Sequence, residues 1–126
     1  MIWNPNKECM SREQMRELQG KRLHKLVQYV YHNVPFYRNK MQAMDISPED
    51  INTIDDIVRL PFTTKQDLRD NYPFGLVGAN MDDAVRIHST SGTTGNPCVV
   101  IYSEHDICSW ANMIARNLYM VGCRKS

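Results

Sequence analysis

Between positions 89 and 95 the chain places five hydroxyl side chains and two glycines in seven consecutive residues, Ser89-Thr90-Ser91-Gly92-Thr93-Thr94-Gly95. Glycines let the backbone turn sharply and present successive amide N–H groups, and with no Cβ in the way an anion can approach them closely. The Ser and Thr hydroxyls add short, rotatable donors. These are the parts of a phosphate-cradling loop. They are also the parts of a polar hairpin connection, in which Gly, Ser and Thr only satisfy turn geometry. Two familiar phosphate motifs are excluded. Gly92 and Gly95 are three residues apart and Asn96 follows, so the pattern G-x-x-x-x-G-K-[ST] is absent. A dinucleotide fingerprint fails too, because a strand-like segment follows where a helix would be needed.

The flanking segments must position this loop. Ala84-Val85-Arg86-Ile87-His88 alternates apolar and polar residues and reads as a strand. Cys98-Val99-Val100-Ile101-Tyr102 is nearly continuous, apolar and rich in β-branched residues, the pattern of a buried strand. Ser103, with Asp106 three residues on, caps a helix whose apolar stripe is Ile107, Trp110, Ala111, Ile114, Ala115, Leu118 and Val121. That stripe is expected to pack on the sheet as core, with Gly122 ending the helix in the left-handed conformation. Two strands are too few to cover residues 84–126 fully, so apolar surface is expected to stay open there unless the region dimerises or meets a further part. His88 adjoins the loop but has no visible acid–base partner, and is read as structural.

Upstream the chain reads as helical. Ser11 and Gln14 fit a capping box, and Met15, Leu18, Leu23, Leu26, Val27 and Val30 recur at near-helical spacing to about Tyr31. Gly20 weakens that helix by about 1 kcal/mol relative to Ala. Asn33-Val34-Pro35 stops it, and a second helix is expected over residues 36–44. Short capped turns follow at Ser47-Pro48, at Thr53 with Asp56, and at Thr64 with Asp67, the last closed by Tyr72-Pro73. Tyr29, Tyr31, Phe36 and Tyr37 are expected to pack around the Pro35 bend, the eight Met to fill gaps in the core, and Lys65 to be solvated.

The chain has 126 residues, 42% hydrophobic and 23% charged, enough for one globular domain. Disorder and low complexity are excluded by the apolar fraction. No apolar run approaches the roughly 20 residues needed to cross a bilayer. The first turns carry Lys7, Glu8, Arg12, Glu13, Arg16 and Glu17 and resemble no signal peptide, so a soluble, cytoplasmic protein is expected. Residues 1–40 hold eight Lys/Arg against three Glu, whereas residues 41–83 hold three basic against nine acidic residues. The basic charges alternate with Glu along a helix, which reads as a solvated face and not as a nucleic-acid site. The two regions carry opposite charge and are suited to attract one another, within the fold or across a dimer. Cys9, Cys98, Cys108 and Cys123 contain no C-x-x-C pair, and the four His have no ligand spacing. Reduced thiols and no metal held by this chain alone are therefore expected.

Thr90-Ser91-Gly92-Thr93-Thr94-Gly95-Asn96-Pro97 resembles the ATP-phosphate loop of adenylate-forming enzymes. Two further segments resemble the phenylacetate–CoA ligase family within that group. They are Tyr31-His32-Asn33-Val34-Pro35-Phe36-Tyr37-Arg38 and Leu60-Pro61-Phe62-Thr63-Thr64-Lys65-Gln66-Asp67-Leu68-Arg69-Asp70-Asn71-Tyr72-Pro73-Phe74-Gly75. The resemblance implies an α/β fold, with a helical region over residues 1–80 and the first strand–loop–strand–helix of an ATP-binding subdomain over residues 81–126. It implies that an aryl carboxylic acid such as phenylacetate reacts with ATP to give an acyl adenylate, which coenzyme A converts to a thioester. Thr90, Ser91, Gly92, Thr93, Thr94 and Gly95 would then bind the nucleotide phosphates. Asn96 stands where family members commonly have Lys, and contributes no charge. Mg2+ would be held by an acid outside this chain, and no catalytic residue is identified within it. Family members are several times longer, so the remainder of the ligase is an expected partner and the 126 residues alone are expected to be inactive. The other readings are a non-catalytic nucleotide-binding module and a piece that forms a homodimer through residues 1–75.

Overall fold

In the computed structural model, which describes residues 2–91 and 97–124, a single-turn helix α1 (Pro5–Glu8) precedes the long α2 (Arg12–Asn33). Asn4 caps α1 by accepting from the Lys7 amide at 3.2 Å, with Pro5 at the first helical position. One turn carries no periodicity that predicts it; the Asn4-Pro5 pair is its only start signal. The Ser11 hydroxyl accepts from the Gln14 amide at 3.2 Å while the Gln14 side chain accepts from Ser11 N–H at 3.1 Å, which closes the expected capping box.

Val34, extended and 1% exposed, ends α2 and starts α3 (Pro35–Ala43), one residue earlier than the spacing predicts. Helix α3 stops in a Schellman arrangement. Asp45 adopts φ 54°, its N–H donates to Gln42 O at 3.1 Å, and Ile46 N–H donates to Met41 O at 2.9 Å. Met41 and Ile46 thereby enter the core beside Leu23, Val27 and Ile51, with Tyr31, Ile54 and Leu60 packed against them. Gly20 is buried because α2 passes the 52–54 backbone closely: a Cβ there would lie 3.4 Å from Thr53 Cα and Ile54 N.

Two 3-10 turns, Pro48–Asp50 and Ile54–Arg59, wrap this core and lead to α4 (Lys65–Asp70). His24 Nδ1 donates to Ile51 O at 2.7 Å, and Arg16 pairs with Asp55. Lys40 joins α3 to the α4 segment by donating to Phe62 O and Asp67 Oδ2, both at 2.9 Å. Both ion pairs connect the basic first third to the acidic middle, so part of the charge asymmetry is resolved inside the fold.

After a cis Tyr72-Pro73 bond and a 3-10 turn at Met81–Asp83, β1 (Ala84–Ser89) pairs antiparallel with β2 (Val99–Ser103). Arg86 faces Tyr102, Ile87 faces Ile101 and Ser89 faces Val99, and α5 (Glu104–Met120) follows directly. Gly122, at φ 104°, closes α5 with Gly122 N–H donating to Tyr119 O at 3.2 Å and Cys123 N–H to Leu118 O at 3.0 Å.

Three packing expectations are corrected. Trp110 does pack α5 on the sheet, stacked on Tyr102 at 5.7 Å, and Ile107 and Ala115 are partly covered, yet much of the stripe is open: Ile114 is 47%, Leu118 49% and Val121 73% exposed. The second strand is only partly covered, because among the described residues the sheet has two strands: Cys98, just before β2, is buried, whereas Val100 is 47% exposed. Of the methionines, Met41 is core whereas Met44, Met81, Met113 and Met120 are exposed, since the compact core lies between α2, α3 and the 3-10 turns.

Candidate functional site

The hydroxyl-rich loop is held at its base by one paired step beyond the strands. Thr90 N–H donates to Cys98 O at 3.1 Å, and Cys98 N–H donates to Thr90 Oγ1 at 3.0 Å. One residue thus extends the ladder with its backbone and its side chain together. Because Oγ1 accepts from Cys98, the Thr90 hydroxyl proton is left to be donated elsewhere. Thr90 and Ser91 are exposed on either side of the point where the chain leaves the sheet. Gly92, Thr93, Thr94, Gly95 and Asn96 lie outside the described residues. In the sequence Cys98 is only the first residue of an apolar run. Its buried position opposite Thr90 makes it the inner half of the loop's base.

Behind the loop, β1 and β2 rest on α5 through an aromatic group. The His88 ring lies 5.2 Å from Tyr102 and 6.0 Å from Trp110, both edge-on. His88 therefore has a packing role, as its isolation in sequence implied. Asp106 fixes the start of α5 by accepting from Ser103 N–H at 2.9 Å and Ser103 Oγ at 2.8 Å, and these hydrogen bonds lower its pKa. The cap ties α5 to the end of β2, and β2 carries the loop.

On its opposite side the sheet borders a cleft of about 530 Å³ shared with the helical region. Tyr29 and Tyr37 of the helical region, Asn71 and Val77 of the connecting segment, and Val99 and Ile101 of β2 are among the residues that line it. The aromatic residues near Pro35 accordingly divide their roles. Phe36 and Tyr37 pack edge-on at 5.1 Å, and Lys40 lies over the Phe36 ring at 4.7 Å, whereas Tyr29 and Tyr37 border the cleft. Lys65 stands exposed at the start of α4. Among the described residues, no three His, Cys, Asp or Glu side chains come together to hold a metal ion. Also among them, no helix is long and apolar enough to cross a membrane.

No family model matches the chain. Its fold superposes on 2-hydroxyisobutyryl-CoA ligase in the postadenylation state with 2-HIB-AMP, at TM-score 0.87 and 29% identity over 98% of this chain and 26% of that one. The same ligase in its thioesterification state with 2-HIB-AMP and CoA aligns at TM-score 0.83 and 30% identity, over 91% of this chain and 25% of that one. Helices α2 and α3, the β1–β2 pair and α5 are thus the architecture of the N-terminal part of adenylate-forming CoA ligases.

Two curated relatives narrow the class. The phenylacetate–coenzyme A ligase of Thermus thermophilus is 44% identical over 124 residues, 98% of this chain and 28% of its own length. That of Escherichia coli is 46% identical over 115 residues, 91% of this chain and 26% of its own length. The chain belongs to the phenylacetate–coenzyme A ligase family and corresponds to an N-terminal portion of its members. It spans a little over a quarter of the length of these relatives.

Proposed function

We propose that this chain supplies the phosphate-binding part of an ATP-dependent acid–CoA ligase acting on an aryl acid such as phenylacetate. The observation that carries the reading is its 44% identity to a phenylacetate–coenzyme A ligase across 98% of its residues, the hydroxyl-rich segment included. In the proposed reaction a carboxylate oxygen attacks the α-phosphorus of ATP and pyrophosphate departs. The coenzyme A thiol then adds to the acyl carbon, and AMP leaves as the thioester forms.

Thr90, Ser91, Gly92, Thr93, Thr94 and Gly95 are the proposed phosphate contacts. Their amides and hydroxyls would position the nucleotide and neutralise charge growing on the leaving pyrophosphate, with no covalent role. The clamp between Thr90 and Cys98 supports this reading: it fixes both ends of the loop before any ligand arrives, so less ordering is required on binding. Mg2+, bound by residues beyond this chain, would screen the phosphate charge. The division at residue 80 into a helical region and the start of the ATP-binding subdomain is proposed on the same grounds, as is a cytoplasmic location. Self-association into a homodimer remains part of the proposal, to be read from the mass of the protein in solution.

The test joins the chain to the remainder of the E. coli relative and measures acid-dependent AMP and thioester formation. Replacing Thr93→Val and Thr94→Val together is expected to lower adenylation by 10²-fold or more, the scale of losing preorganised donors. Unchanged turnover would reject the loop assignment.

A further inference from the structure

Residues 2–8 form a strap against the far end of α5. The Glu8 carboxylate accepts from Trp3 N–H at 3.3 Å and from Asn4 N–H at 2.9 Å, which bends the segment back on itself. The same carboxylate lies 3.6 Å from Arg116 Nε, and the Trp3 ring meets Tyr119 edge-on at 5.5 Å. Arg124 completes the group, with its guanidinium over the Tyr119 ring at 4.1 Å and Nη1 donating to Tyr119 O at 3.1 Å. The Glu8 and Arg116 side chains are 26% and 32% exposed, against 73% for Asp55 in its pair with Arg16, so solvent screens the strap's pair less. Among the described residues, the ion pair and the ring contact that join residues 2–80 to residues 84–124 both belong to this strap. Burial adds little on that side, where Cys98 is the one buried residue among those described.

What the strap holds is a lever. Helix α5 starts where β2 ends: Ser103 closes the strand and caps the helix through Asp106, and Trp110 stacks on Tyr102 of the same strand. At its other end β2 leads to the Thr90–Cys98 clamp at the base of the hydroxyl-rich loop. The 17 residues of α5 extend about 25 Å, and Tyr119 stands at the end opposite the joint. A contact there resists tilting of the helix with more leverage than one near the joint. We propose that Trp3 and Glu8 are positioning residues for the phosphate loop, acting through Tyr119 and Arg116 of α5 to set the β1–β2 pair against the helical region. The role is one of placement, without contact with the reacting atoms. It fixes where the loop's donors stand before the nucleotide arrives, and a misplacement of about 1 Å can cost on the order of 10²-fold in rate. This inference rests on the proposed ligase reading.

The experiment uses the chain fused to the remainder of the E. coli relative and times the two half-reactions separately. These are pyrophosphate release from acid and ATP, and thioester formation from phenylacetyl adenylate supplied ready-made. Trp3→Ala is expected to slow pyrophosphate release about tenfold and to leave thioester formation unchanged, because only the first step uses the loop's phosphate contacts. Trp3→Phe, which keeps an aromatic ring against Tyr119, should restore the rate. Arg116→Gln, which removes the charge facing Glu8, should slow the same step. Adding Trp3→Ala to Tyr119→Ala should cost nothing further, the mark of two residues acting through one contact. Equal slowing of both steps, or no slowing, overturns the proposal, as does a Trp3→Ala effect that adds in full to that of Tyr119→Ala. Should Trp3→Ala lose its fold by circular dichroism, Arg116→Gln decides. Independently of activity, the Thr90 and Cys98 amides of the 126-residue chain should exchange faster in Trp3→Ala and recover in Trp3→Phe. Unchanged exchange there overturns the strap's role. An unaltered fusion that forms no thioester sinks the ligase reading alone, and the strap then stands or falls on the exchange.

Discussion

Asp67 receives Lys40 Nζ at 2.9 Å, Thr64 N–H at 2.7 Å and Thr64 Oγ1 at 2.8 Å. Chiefly through the Lys40 contact, then through Thr64, its pKa falls from 3.8 to about 2. A carboxylate depressed in the folded state contributes stability above its unfolded pKa and loses it as pH drops through the folded value. The contribution is therefore complete above about pH 4 and disappears toward pH 2. Asp67→Asn should flatten the loss of stability across that window, as read from urea midpoints between pH 2 and pH 5. At the loop, Thr90→Val leaves the Cys98 N–H without its side-chain acceptor. The expected loss is about 1–3 kcal/mol, with faster exchange of the Cys98 amide, and Thr90→Ser should restore both. The hydroxyl cluster itself was legible in sequence, but the Thr90–Cys98 partnership was not. Residues eight positions apart acquire contact only when both strands form in one register.

Element boundaries depend on short-range chemistry. Ser11, Thr53, Thr64 and Ser103 each meet a side chain three residues later, and each begins the turn or helix its spacing predicts. Ser103→Ala should cost about 1 kcal/mol and loosen the first turn of α5, measurable as faster amide exchange at its N-terminus. Gly20 shows the limit of local reasoning. Propensity treats it as a weakness in α2, whereas its close approach to Thr53 and Ile54 explains why a larger residue is unsuited there. Gly20→Val should destabilise by about 1–3 kcal/mol in thermal melts, because its added methyls meet backbone that has little room to shift.

Across the molecule, cohesion is uneven. Val34, Met41 and Ile51 are sealed within the helical region, while Cys98 is the only buried residue from 84 to 124 among those described. Hydrogen exchange should find the slowest amides in α2 and α3 and markedly faster ones in β1, β2 and α5 of the chain alone. Uniform protection would contradict that division. What the amino-acid order determined unaided was local: caps, breaks, periodicities and the hydroxyl-glycine segment, each encoded within a few neighbouring residues. What only tertiary structure decided was which apolar faces are covered. The α2 stripe meets α3 and the 3-10 turns, whereas the equally regular α5 stripe meets solvent beyond Trp110. Periodicity specifies that a helix has an apolar face. Whether that face is buried depends on elements distant in sequence, or supplied by the rest of a larger protein.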